Sequence, residues 1–157
     1  MLEQISTYFT IEMVYLWLNI GVIPFWLMLL FLPNSKLGGI FVSSIFPIFI
    51  LCGAYIFIIY KSYLGSYDFD NNFSLYLGIN NLSDLFSNQE FLILFWIHFL
   101  AINLFCGSWM SRDGARLSVS KYIMFFPLLI TYFIGPLGVF IYWIIRIFYA
   151  KKISLYD

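Results

Sequence analysis

Residues 91–111 read FLILFWIHFLAINLFCGSWMS, without one Asp, Glu, Lys or Arg. About 20 such residues, rising 1.5 Å each as a helix, cross the ~30 Å hydrocarbon core of a bilayer. Residues 13–35, 37–60 and 122–145 are charge-free in the same way, and all eight acidic and eight basic residues lie outside these four stretches. The pattern predicts an all-α integral membrane four-helix bundle. Its spans fall near 13–32, 39–60, 89–110 and 122–150, with a polar loop at 61–88, in a single membrane domain of residues 1–157. Composition agrees: 62% of residues are hydrophobic and 10% charged, against about 25% charged in soluble domains. A soluble enzyme and a disordered chain are excluded. So is a nucleic-acid binder, because the formal net charge is zero.

The quoted stretch also carries the polar groups. Ser87 and Glu90 before it form a capping-box pattern, which starts the helix near Asn88 or Gln89. His98, the chain's one histidine, and Asn103 lie within the span. At about 100° per residue His98 shares a face with Ile102, Phe105 and Trp109, while Asn103 points roughly 140° away with Trp96, Gly107 and Met110. Polar groups at this depth ordinarily face the bundle interior or a cavity. Both are expected there, either as hydrogen-bond partners of neighbouring helices or, for His98, as a proton carrier. Non-haem iron chemistry needs at least two His ligands, so no metal site is expected. Cys52 and Cys106 lie at different depths and read as small core residues.

The first twelve residues contain Glu3 and Glu12 but no base, unlike a signal or transit peptide. Met13 to Leu32 therefore reads as a retained span. Leu82, Leu85 and Phe86 predict a short helix on the membrane surface. In the last run, Pro127 and Gly135-Pro136-Leu137-Gly138 predict a kinked or tilted fourth span. Thr131, Gly135, Gly138 and Tyr142 share one face of it, open to another backbone or a flat ligand. Arg146 is expected to snorkel to the interface beside Lys151 and Lys152. Lys36, Arg112, Arg116 and Lys121 would then face one side and Lys61, Arg146, Lys151 and Lys152 the other. That tie leaves the orientation open.

Trp96-Ile97-His98-Phe99-Leu100-Ala101-Ile102-Asn103-Leu104-Phe105, followed by Gly107, Trp109 and Arg112-Asp113-Gly114, resembles the neoxanthin-synthase-like family of small polytopic proteins, the abscisic-acid-deficient-four type. Pro127, Phe133 and Gly135-Pro136-Leu137-Gly138 resemble its last-span motif, and Asn19 with Pro24-Phe25-Trp26 and Pro33 its first. The resemblance covers most of the chain. It implies carotenoid metabolism: a cofactor-free isomerase that converts a carotenoid epoxide to an allene in a bacterial inner membrane or a thylakoid or other plastid membrane. His98 would be the catalytic acid or base and Asn103 would orient oxygen, with Trp96, Trp109, Thr131, Gly135, Gly138 and Tyr142 lining the substrate. One departure stands out: the family pattern has Asp where this chain has Asn103, and an amide is neither acid nor base. Two alternatives follow. One is a non-catalytic subunit that binds pigment or lipid in a homo-oligomer or larger membrane complex. The other is a small dimeric transporter, which the position of Glu12 at the edge of its span disfavours. Expected partners are membrane lipid and a carotenoid or other apolar pigment, and no nucleic acid.

Overall fold

The computed structural model describes residues 9–32 and 46–151. Every regular element among them is helical: α1 (Ile11–Phe31), α2 (Phe46–Leu64), a 3-10 helix (Asp70–Tyr76), α3 (Ile79–Phe86), α4 (Gln89–Arg116), α5 (Lys121–Phe133) and α6 (Gly135–Ala150). Of these, α1, α2 and α4 are long and apolar enough to cross a membrane. The start expected for the second span, residues 39–45, lies outside the described residues. The surface helix expected around Leu82 to Phe86 is α3, with Leu85 buried at 3% exposure.

Helix α4 starts at Gln89, as expected, but its cap differs from the expectation by one residue. The side-chain oxygen of Asn88 accepts from the backbone N–H of Phe91 at 3.1 Å, so Asn88 is the cap. The Ser87 hydroxyl instead donates back to the Ser83 carbonyl. At its other end α4 runs on through Arg112-Asp113-Gly114 to Arg116, and the anticipated basic loop shrinks to Leu117–Ser120. Ser118 closes it in the left-handed region, φ 56°. Val119 N–H bonds to the Gly114 carbonyl and Ser118 N–H to that of Ala115, which is a Schellman cap with serine in the place glycine prefers.

The last apolar run departs most from the sequence reading. It is two helices, α5 and α6, folded back on each other at Ile134, whose ψ of 76° is non-helical. Pro136 is the local cause. In a continuous helix it would remove one hydrogen bond and clash with the preceding turn, whereas near the start of α6 its missing N–H costs nothing. The reversal itself shows in Gly138. A methyl group there would lie 2.6 Å from the Pro127 carbonyl oxygen and overlap Thr131, although seven residues of straight helix would separate Thr131 from Gly138 by ~10 Å. A kinked fourth span is therefore replaced by a tight helical hairpin.

By contacts the chain divides into two compact units, residues 1–21 with 49–101 and residues 22–48 with 102–157. The first has a core of Val14, Ile58, Ile93, Leu94 and Ile97, with Phe9, Leu18 and Tyr55 packed against it. The second is built on Met110, Val119, Met124, Leu128 and Tyr142. Within the second unit three glycines besides Gly138 admit close neighbours. The Trp26 ring lies over Gly107, where a methyl group would come within 2.8 Å of it, and Met124 lies over Gly114. The Asn103 amide lies over Gly135. Lipid tails are as apolar as Leu, so close packing and polar bonds of this kind hold membrane helices together, more than apolar burial does.

Candidate functional site

His98 belongs to the first unit, about nine residues and so roughly 13 Å along α4 from its start. Its ring is exposed and, among the described residues, has no hydrogen-bond partner. Ile102 and Phe105, which share its helix face, are also exposed, at 47% and 52%. The expected inward-facing histidine instead points outward. It opens into a groove of about 140 Å³ lined by Tyr55, Asn72, Phe91, Leu94 and Phe95. An imidazole without a partner at this depth is costly in hydrocarbon. It is also reachable by a molecule dissolved there.

Trp96, two residues before His98 and so on the opposite side of α4, is fixed by its neighbours. Its indole N–H donates to the Asn19 side-chain oxygen at 3.2 Å, and the Asn19 amide donates in turn to the Tyr15 carbonyl at 2.7 Å. The indole stacks on Phe99 at 5.3 Å. It forms one wall of a larger, mostly apolar groove of about 420 Å³, with Ile11, Glu12, Tyr15, Gln89, Leu92 and Ile93. The sequence singled out Trp96. Glu12 and Tyr15 were not foreseen in that role.

The other residues named from sequence lie in the second unit, mostly in tight packing. Asn103 is buried at 5% exposure, and its Nδ2 has no partner among the described residues. Thr131 is fully buried. Its hydroxyl donates to the Pro127 carbonyl at 2.7 Å and lies 3.6 Å from the Met110 sulfur. Gly135 and Gly138 are covered by Asn103 and by Thr131, while Trp109 meets Tyr142 edge to face at 5.5 Å. Cys52 and Cys106 are free thiols. No group of three His, Cys, Asp or Glu suited to a metal exists among the described residues.

One cluster went unread in the sequence. Asp113 Oδ2 accepts from the Tyr142 hydroxyl at 2.6 Å and from Arg146 Nε at 2.7 Å, and Oδ1 accepts from Arg116 at 3.2 Å. Asp113 and Arg146 are 8% and 3% exposed. Arg146 therefore does not snorkel toward Lys151 and Lys152: it turns inward and ties α6 to α4. The signal was present as Arg112-Asp113-Gly114 and a lone Arg in an apolar helix, but only the hairpin brings the two together.

Among the described residues the chain is all-helical, with three helices long and apolar enough to cross a membrane. The chain belongs to the ABA DEFICIENT 4-like family, whose model matches residues 13–142. The resemblance carried by Trp96–Phe105 and Gly135–Gly138 is thereby shown. It is similar to Protein ABA DEFICIENT 4, chloroplastic, of Arabidopsis thaliana, with 27% identity over 116 residues that cover 68% of this chain and 52% of the relative. The chain thus spans about half the length of that curated relative. No solved structure matches it.

Proposed function

We propose that the chain is an integral membrane protein that isomerises a carotenoid epoxide to an allene, with His98 as its acid or base. The observation that carries this reading is the exposed, unpartnered His98 ring beside the Tyr55–Phe95 groove. The step balances without an oxidant or reductant. A proton leaves a polyene carbon, its C–H electrons form the new double bond, the epoxide C–O bond breaks, and the oxygen takes up a proton. An imidazole can give or take a proton through its ring nitrogens, so it suits either transfer. Both units belong to one membrane domain on this reading. The place of a fourth span is taken by the α5–α6 hairpin, whose arms of roughly 20 and 24 Å fall short of a full crossing. The chloroplastic relative supports a plastid membrane as its location.

The test is to express wild type, His98→Ala and His98→Gln in a host that makes epoxy-carotenoids and to chromatograph the pigments. Loss of the allenic product in both variants, at equal protein levels, is expected. Identical profiles from all three would refute the catalytic role. A second reading, binding without catalysis, is favoured by the apolar groove beside Trp96 and by Asn103 in place of the Asp implied by resemblance. Under it the protein purifies with pigment bound, and His98→Ala leaves that pigment unchanged.

A further inference from the structure

The segment between α2 and α4 holds a polar cleft that the His98 reading does not use. In a 3-10 helix, residues three apart share an edge, so Asn71 and Ser74 line one wall. On α3 and just beyond it, Asn81, Asp84 and Asn88 recur at the helical interval and line the other, with Leu85 buried at its base. Tyr67 completes the cleft, which has a volume of about 440 Å³. Its hydroxyl donates to the Asn72 side-chain oxygen at 2.6 Å. Burial first, then the charges of Glu90 and Asp68, hold this phenol above its usual range, so it stays protonated and a donor. The side chains of Asn71, Ser74, Asn81 and Asp84 have no protein partner among the described residues.

The chemistry of these walls selects a ligand class. Amides, hydroxyls and one carboxylate offer many donors and acceptors but no cation. The surrounding acids Asp68, Asp70 and Glu90 repel anions, and Lys61 donates to the Phe9 carbonyl instead. One carboxylate is also too few for a typical divalent-cation site. An uncharged, hydroxyl-rich ligand fits. The neighbouring edge of the same 3-10 helix and the turn after it expose Phe73 at 72%, Tyr76 at 82%, Leu77 at 77% and Ile79 at 76%. Four large apolar side chains bared together beside the ends of two membrane-length helices suit the acyl region of a bilayer.

We propose that this cleft binds the polyhydroxyl, sugar-type headgroup of a neutral membrane lipid, whose tails lie against Phe73, Tyr76, Leu77 and Ile79. Asp84 accepts two neighbouring hydroxyls, and the Asn amides and Ser74 hold the others. The test uses the full chain in detergent and native mass spectrometry, with monohexosyl diacylglycerol, phosphatidylglycerol and phosphatidylethanolamine of matched acyl chains supplied together. Wild type retains the hexosyl lipid about tenfold over phosphatidylglycerol, the effect of a charge-assisted hydrogen bond or two. Asp84→Ala and Asn81→Ala, which alter cleft-wall side chains outside the core, bring the lipids to parity with unchanged helical circular dichroism. Phe73→Ser with Tyr76→Ser lowers retention of all three alike. Equal or stronger binding of either phospholipid, or an undiminished preference in Asp84→Ala, overturns the proposal. Displacement by a soluble methyl hexoside at the same concentration as the lipid would show a free-sugar site and overturn the lipid assignment.

Discussion

Replacing Asp113 by Asn is expected to loosen the packing of α4, α5 and α6 more than any other single polar change. Three donors converge on this carboxylate, but they are not equivalent. The Arg116 side chain is 51% exposed, and a surface pair of that kind contributes about 1 kcal/mol or less. Arg146 and Tyr142 are buried at 3% and 0% exposure. Taking the carboxylate away from a buried guanidinium costs about 3–5 kcal/mol. Tyr142→Phe removes one charge-assisted hydrogen bond and leaves the ion pair intact, for about 1.5–3 kcal/mol. Reversible unfolding of the detergent-solubilised chain, followed by tryptophan fluorescence, measures each value. The informative experiment is the cycle of Asp113→Asn, Arg146→Met and the double variant. Because the double variant leaves neither member of the buried pair without the other, it recovers part of the loss, and the coupling exceeds about 1 kcal/mol. Additive effects, or an Asp113→Asn variant within about 0.5 kcal/mol of wild type, would refute the reasoning that this tie secures the hairpin.

Glycine substitutions separate crowded from open sites. Gly138→Ala, whose methyl would press on Pro127 and Thr131, lowers stability by about 1–3 kcal/mol in the same unfolding assay. Gly53→Ala, with nothing within 4 Å, leaves it unchanged or raises it by up to about 1 kcal/mol. Ser118→Gly relieves the left-handed backbone at the end of α4 and stabilises by about 1 kcal/mol; a melting temperature below that of wild type would count against the cap assignment. By the positive-inside rule, the end of α4 that carries Arg112 and Arg116 is expected on the inner side of the membrane. A cysteine at Ser118, in a chain lacking Cys52 and Cys106, is then labelled by impermeant maleimide only after the membrane is opened.

The helices were legible because their signal is local. A charge-free run such as 91–111 has one low-energy solution in a bilayer, and the extent of α1 and the body of α4 follow from it, though not the charged last turn of α4 to Arg116. The cap of α4 was legible to within one residue, since Ser87 and Asn88 can both accept the bond and only the chain path between α3 and α4 chooses. Periodicity also separated the directions of His98 and Asn103 on their helix. It could not say which direction was outward, because that depends on where the neighbours pack. Asn103 faces Gly135, and His98 faces an open groove. The site was legible as a set of residue types and opaque as an arrangement.

The hairpin shows the same divide and also changes what the charges mean. Pro136 with Gly135 and Gly138 announces a break, but kink and reversal share that local chemistry. They differ only in whether Thr131 meets Gly138 and whether Asp113 meets Arg146, contacts made across the turn at Ile134 or with another helix. A continuous helix would carry Arg146 about 37 Å from Lys121, and the count of bases would stay tied. Folded back, Arg146 lies on Asp113, and among the described residues of that unit the bases Arg112, Arg116, Lys121, Arg146 and Lys151 accompany one acid, which is buried. Residues 9–21 and 49–101 show the reverse, with Lys61 against Glu12, Asp68, Asp70, Asp84 and Glu90. The turn that brings Arg146 to Asp113 therefore also sets the charge balance around that buried acid, which a straight fourth span would have hidden.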